Sequence, residues 1–184
     1  MRKVKLFIAT SLDGFIATKE GKVDWLLDPD RSVPSDEDYG YYRFFDSIDT
    51  TLMGYNTYRK ILDLGGSFPY PEKTNYVFSR HHTREEDHPV EFIASDIVSF
   101  TSGLKKGSGK DIWLVGGGQI NKVMLNADLI DELIISIQPV VLGEGLPLFA
   151  EGTEFRRFKL TETKTYEGMM TQITLVRKNG STIR

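Results

Sequence analysis

Apolar positions in the first half of the chain fall into short β-prone runs separated by polar turns. Lys3 to Thr10 reads as a strand rich in Val, Leu, Phe and Ile. Ser11-Leu12-Asp13-Gly14 reads as a turn, after which Phe15-Ile16-Ala17 resumes an extended path. Residues 28–38 are polar and turn-forming, and Ser35 is placed to cap a helix with acidic residues in its first turn. The pattern predicts that helix over Asp36 to Ser47, burying Tyr42, Phe45 and their neighbours. Thr50 to Met53 is a strand ending at Gly54, and Thr57 to Leu64 is helical. Asn75 to Phe78 and Val90 to Ala94 are further strands, and 96–105 is a helix.

The stretch DIWLVGGGQINKVML, residues 111–125, carries the strongest local signal. Ile112 to Val115 form an apolar strand, and Ile120, Val123 and Met124 recur at helical spacing. Between them stand Gly116, Gly117 and Gly118. A strand-to-helix corner needs about one glycine for its turn, so three point to close backbone approach or a conformation that side chains forbid. Amides that open a helix favour anions, with phosphate the usual guest, although such corners also serve as plain tight turns. Beyond this point Leu133 to Ile137, Phe158 to Tyr166 and Thr171 to Arg177 read as strands. No helical period separates the last two and Glu167-Gly168 supplies a turn, so they should form an antiparallel hairpin. The expectation is α/β: a mixed sheet with helices on both faces, in one domain over 1–184.

Composition narrows the function. Hydrophobic content of 40% and charged content of 27% are ordinary for a globular protein. A net charge of −3 gives no support for nucleic-acid binding. No apolar run reaches the ~18 residues of a membrane span. The absence of Cys excludes disulfides and thiolate chemistry and fits the cytoplasm, the expected location. GLKKGSGKD at 103–111 fails as a P-loop, because the first Gly would have to stand where Leu104 does. The dinucleotide fingerprint G-x-G-x-x-G fails at Asn121. His81, His82 and His88 match no zinc spacing, so no metal is expected.

What remains is a set of strand ends: Ala9-Thr10, Gly54-Tyr55-Asn56-Thr57, Ser79-Arg80 and the glycine corner. Ligands of open α/β sheets bind beyond the carboxyl ends of parallel strands. Two helix N-termini and an Arg on one edge suit a ligand with a diphosphate and a further phosphate.

IATSLDGFIA (8–17), IDTTLMGYNTY (48–58), NYVFSR (75–80), IWLVGGGQI (112–120) and PVVLGEGLPLF (139–149), in that order, resemble the dihydrofolate reductase superfamily. The closer likeness is to the reductase domain of the bifunctional riboflavin-biosynthesis deaminase-reductase. The resemblance implies a three-layer α-β-α fold with a mixed eight-stranded sheet, an NADPH-dependent oxidoreductase and often a dimer. It implies a cis peptide between Gly116 and Gly117, with the amides of Gly117, Gly118, Gln119 and Ile120, after Val115, facing the cofactor's phosphates. Gly54, Tyr55, Asn56 and Thr57 would line the other diphosphate contact, and Ser79 and Arg80 the adenosine-side phosphate. Ala9 and Thr10 would meet the nicotinamide carboxamide, with Ile16 against the ring or in the core. Tyr55 stands where dihydrofolate reductases commonly carry an Arg for the 2′-phosphate, which leaves Arg80 as the evident cation.

On the substrate side the resemblance implies a carboxylate at the first helix, with Asp38 nearest and Glu37 or Asp36 as alternatives to it, and helix capping as the other role. Asp13 borders the substrate or fixes its turn, Trp25 walls the pocket or packs in the core, and Tyr42 joins the substrate set. The folate-gripping Arg would fall near Lys73, which lacks the planar fork. The substrate is therefore expected to be a small heterocycle, a pyrimidine of the riboflavin pathway, with pterin reduction or cofactor binding without turnover as alternatives. Leu146, Leu148 and Phe149 are expected at a homodimer interface or in the core.

Overall fold

The computed structural model describes residues 1–26, 37–65, 67–81, 89–166 and 170–178. The strands are β1 (Val4–Thr10), β2 (Phe15–Ala17), β3 (Ile48–Gly54), β4 (Thr74–Phe78) and β5 (Val90–Ile93), followed by β6 (Asp111–Gly116), β7 (Glu132–Ile137), β8 (Leu146–Pro147), β9 (Phe158–Tyr166) and β10 (Met170–Arg177). The helices are α1 (Tyr41–Asp46), α2 (Tyr55–Asp63), α3 (Ile97–Lys106) and α4 (Gly118–Asn126). Among the described residues the main sheet has eight strands in the order β5-β4-β3-β6-β1-β7-β10-β9. The first six run parallel, β10 turns antiparallel against β7, and β9 pairs antiparallel with β10 as the edge. This is the expected α/β architecture, with the C-terminal hairpin in place.

Alternation within the strands decides which helices cover which face. Val4, Leu6, Ile112, Leu114, Leu133 and Ile135 are buried on one side with Met124 and Leu125 of α4, and Val98, Phe100 and Leu104 of α3 pack against them. On the other side Trp113 is buried with Phe44 of α1 and Ile48, while Met53 and Val77 are buried with Tyr58 of α2. Val115 and Tyr70 touch both of these smaller clusters, so α1 and α2 share one face of the sheet. Both faces of the central strands are covered, which is why their sequences read as near-continuous apolar runs.

Three expectations need correction. The first helix begins at Tyr41, because Tyr39 (φ 55°) and Gly40 (φ 77°) take left-handed backbone that cannot continue a right-handed helix; Ser35 and Asp36 lie outside the described residues. With that start, Tyr41, Phe44 and Phe45 share the inward stripe, and Tyr42 is 69% exposed instead of buried. The second helix opens at Tyr55, directly after the strand. Of the apolar residues considered for an interface, Leu148 and Phe149 pack on the main core, leaving Leu146 45% exposed. The small sheet formed by β2 and β8 was not anticipated.

Candidate functional site

The C-terminal ends of β4, β3, β6 and β1 lie side by side on one edge, because these neighbouring strands are parallel. At ~4.8 Å per strand the four ends span about 14 Å. The topology thereby collects Phe78-Ser79-Arg80, Gly54, Gly116 and Thr10 from distant parts of the sequence.

The glycine corner sits at the middle of this edge. The Gly116–Gly117 peptide is cis, and Gly116 has φ 115°, a region that L side chains rarely enter. Gly117 stands before α4 and Gly54 before α2, and as glycines these N-caps bring no side chain to the opening amides of either helix. The first amides of both helices therefore lack intrahelical acceptors on the same edge. The three glycines there answer to different neighbours. A Cβ on Gly117 would come within 3.3 Å of Thr57 Oγ1 and 3.7 Å of Ile16 Cδ1. A Cβ on Gly54 would lie 3.1 Å from Ile120 Cγ1, so β3 and α4 meet there backbone to side chain. A Cβ on Gly118 would run into the Pro147 carbonyl. That last contact belongs to a strap: Ala150 N donates to Gly118 O at 3.2 Å and Asn121 Nδ2 to Leu148 O at 2.8 Å. The segment LGEGLPLF thus braces the corner from outside, and Ile16, Thr57 and Gly117 are brought together.

The other expected cofactor residues fall around this centre. Val115 and Ile120 are half-buried, while Gln119 and Asn56 are exposed. The Tyr55 ring packs 6.3 Å from both Tyr58 and Phe92, so the side chain is committed to the α2 cluster. Thr10 is buried and its carbonyl accepts from Gln138 N at 2.8 Å, with Ala9 one residue before it. Ser79 N donates to Ile93 O at 3.1 Å, and His81 N donates to Ser79 Oγ at 3.4 Å. Arg80 is exposed and forms no ion pair with a described residue.

The expected substrate residues fare differently. Asp38 Oδ2 accepts from Tyr42 N at 2.8 Å and Oδ1 from Gly40 N at 2.9 Å, and these two amides hold its carboxyl below the usual range. A carboxylate so engaged caps the start of the helix and stays ionised, the helix-capping role of the two expected for Asp38. Glu37 is likewise turned to backbone, accepting from Tyr39 N at 2.8 Å. Asp13 accepts from Leu142 N at 3.2 Å and Gly143 N at 2.7 Å. The Ser11 hydroxyl and those two amides lower its pKa, so Asp13 fastens the β1–β2 turn to the LGEG loop. Trp25 lies in a single 3-10 turn, Asp24–Leu26, half-buried, its buried Nε1 meeting no acceptor among the described residues. Lys73 donates to Phe45 O at 3.1 Å and Ile48 O at 3.2 Å and sits 4.0 Å over the Phe45 ring. Two of its three ammonium hydrogens are thereby spent on carbonyls at the end of α1 and the start of β3. Among the described residues no group of three His, Asp or Glu side chains comes together as a metal site.

Sequence reasoning missed a polar row on the α1 face. Ala9, Ser136 and Gln172 are direct cross-strand partners on β1, β7 and β10. Gln172 Nε2 donates to Ser136 Oγ at 3.0 Å and to Tyr39 O at 3.2 Å, and both side chains are buried. The only local hint was a pair of polar residues, Gln172 and Thr174, alternating with Ile173 and Leu175.

The RibD C-terminal domain model matches residues 2–171. The chain belongs to that family. The chain is 40% identical over 176 residues to YwjB of Bacillus subtilis (strain 168), covering 96% of this chain and 98% of that protein. YyaP of the same organism is 38% identical over 187 residues, covering 94% and 93%. Both are named as uncharacterized proteins. A crystal structure from Shewanella sp. PV-4, of a protein whose name provisionally places it in riboflavin biosynthesis, superposes with a TM-score of 0.85 at 33% identity, covering 96% of this chain and 99% of that one. The Thermotoga maritima diaminohydroxyphosphoribosylaminopyrimidine deaminase/5-amino-6-(5-phosphoribosylamino)uracil reductase shares the fold with a TM-score of 0.70 at 17% identity, covering 96% of this chain and 57% of that one. The family member therefore has a dihydrofolate reductase-like fold of the riboflavin reductase type. No described helix is long and apolar enough to cross a membrane.

Proposed function

We propose that the chain is an NADPH-dependent reductase that delivers hydride to a small heterocycle, a pyrimidine of the 5-amino-6-(5-phosphoribosylamino)uracil class. The observation that carries this reading is the bare backbone edge where Gly117, Thr57 and Ile16 converge between two uncapped helix N-termini. A space that one Cβ would invade, flanked by helix amides, fits a dinucleotide diphosphate better than it fits a plain turn. In this reading the opening amides of α2 and α4 bind the diphosphate, with the Thr57 hydroxyl beside them. Ser79 and Arg80 hold the 2′-phosphate, the Ala9-Thr10 backbone orients the carboxamide, and Ile16 excludes water from the ring. When bound, the reduced nicotinamide supplies the hydride, and the chain's own contribution is position and a dry pocket. Asp38 orders the start of α1 as an ionised cap. Pterin reduction is disfavoured by the commitment of Lys73 to the end of α1. The reading includes a homodimer through the open edge of the sheet, where Leu160 of β9 is 55% exposed, and a location in the cytoplasm. A monomer mass by light scattering removes the dimer.

Fluorescence titration with NADPH and NADH, followed by NADPH consumption with 5-amino-6-(5-phosphoribosylamino)uracil and with dihydrofolate, tests the proposal. Saturable NADPH binding with turnover of the pyrimidine supports it. Binding without turnover leaves a nucleotide-binding protein, and no binding removes the cofactor edge altogether.

A further inference from the structure

We propose that Gln172 and Ser136 together read a cyclic amide edge of the substrate, Gln172 Oε1 accepting its ring N–H and the Ser136 hydroxyl donating to the adjacent carbonyl. This inference rests on the reductase reading above and names the recognition element that the reading lacks.

The orientation of Gln172 is determined by chemistry. Its Nε2 lies 3.2 Å from the Tyr39 carbonyl, which can only accept, so the amino end of the carboxamide faces that way. The second Nε2 hydrogen goes to Ser136 Oγ at 3.0 Å. Both donors are then used and Oε1 is left as a fixed acceptor, since no described residue donates to it. Ser136, having accepted one bond, keeps its own hydrogen to donate. The pair thus presents an acceptor and a donor side by side, the complement of the –NH–C(=O)– edge of a uracil ring. Gln172 is 7% exposed and Ser136 6%, so these are built-in groups and not surface polar residues. Burying a carboxamide in a sheet face is costly unless its bonds are made, and two of three kinds are made here by protein.

Placement agrees with the chemistry. Ala9, Ser136 and Gln172 are successive cross-strand partners, and directly opposed residues point to the same face. Gln172 therefore stands two strands from Ala9, about 10 Å away, a separation that a ring seated against the nicotinamide can bridge. The Tyr39 carbonyl that anchors Gln172 follows Asp38 directly. Tyr39 also sets its ring 5.1 Å from Tyr166, so the entry to α1 is tied to the β9–β10 pair at this point. Capping by Asp38 and anchoring of Gln172 hold the same wall of the site.

The test is a two-way comparison of protein and ligand. NADPH consumption is measured with 5-amino-6-(5-phosphoribosylamino)uracil and with its analogue methylated at the ring N–H between the two carbonyls, on wild type, Gln172→Met and Ser136→Ala. Gln172→Met keeps length and volume while removing the acceptor. Wild type is expected to show a KM about tenfold higher for the methylated analogue, the size of one net hydrogen bond. In Gln172→Met the parent KM rises about tenfold to meet the analogue's, with kcat kept within about threefold, so discrimination collapses. Ser136→Ala weakens both ligands about equally, because the carbonyl remains on each. Undiminished discrimination in folded Gln172→Met overturns the inference, and so does a wild type that does not discriminate, which decides the matter even if Gln172→Met fails to fold. Wild type that binds NADPH but reduces no uracil overturns the inference and leaves the cofactor reading standing. Wild type that binds no NADPH overturns both.

Discussion

The two ends of the parallel strands are built to opposite rules. At the N-terminal edge, charge is paired and backbone is tied down. Asp131 accepts from Val4 N at 2.8 Å, from Lys105 Nζ and from Arg177 Nη2 at 3.2 Å, while Arg2 bridges Asp49 and Thr50, and Lys5 meets Asp111 at 2.9 Å. At the C-terminal edge two helices open from glycine N-caps that bring no side chain, and the corner between them is bare glycine. Helix ends are ordinarily satisfied by side chains, water or ligands, so the contrast marks where the fold spends its polar groups on itself and where, in the function proposed above, it keeps them for a ligand. Side chains close one edge, and backbone is presented at the other.

Asp131→Ala should give the largest effect. It strands Lys105, which is 6% exposed, without its carboxylate, and removal of one partner from a buried pair costs about 3–5 kcal/mol. Chemical denaturation reads the loss, while NADPH affinity of the folded protein should stay at the wild-type value. A parallel loss of affinity would mean that the two edges are not independent. Gly117→Ala tests the opposite edge. The added methyl meets Thr57 Oγ1 at 3.3 Å and fills the cofactor side, so NADPH affinity should fall at least ~30-fold, or about 2 kcal/mol. Its melting temperature should fall less than that of Asp131→Ala, and a melting loss with unchanged affinity would assign the glycine to folding alone.

Arg80→Gln sharpens the comparison within the ligand edge. A charge-assisted hydrogen bond contributes about 1.5–3 kcal/mol, so NADPH affinity should drop about tenfold or more while NADH affinity stays nearly level. Equal losses for both cofactors, or none, would remove Arg80 from the site. The smallest effect concerns Asp38. Its folded pKa lies below the ordinary carboxylate value, so its capping contribution is present above that value and fades as pH falls through the folded pKa. Wild type and Asp38→Asn should differ in thermal stability at neutral pH and converge in acid. A difference that persists at a pH where the carboxyl is protonated would show that the cap is not electrostatic.

Most elements were legible because they depend on local pattern. The β-prone runs at Lys3–Thr10 and Ile112–Val115 and the period of Ile120, Val123 and Met124 each act over a few residues, while the turn expected at Glu167-Gly168 lies outside the described residues. The start of α1 was misplaced because Tyr39 takes positive φ, an uncommon state for a non-Gly residue that no local pattern announces. Tyr42 was misassigned with it, since a helix start moved by five residues rotates a different stripe inward.

By itself the sequence determined the strand and helix periods, the uncharged glycine corner, the lack of thiolate chemistry and the mismatch to a P-loop, since composition and spacing within one segment suffice for these. Only the tertiary structure decided what the polar groups do. Asp13 and Lys73 both looked available for a ligand, and each is engaged by backbone amides or carbonyls that folding brings to it from 25 to 130 positions away. Gln172 and Ser136, 36 positions apart, became a pair only when β10 paired with β7. The physical reason is that a hydrogen bond is satisfied by whatever lies within about 3 Å in space, and sequence separation carries no information about that distance once strands pair out of order.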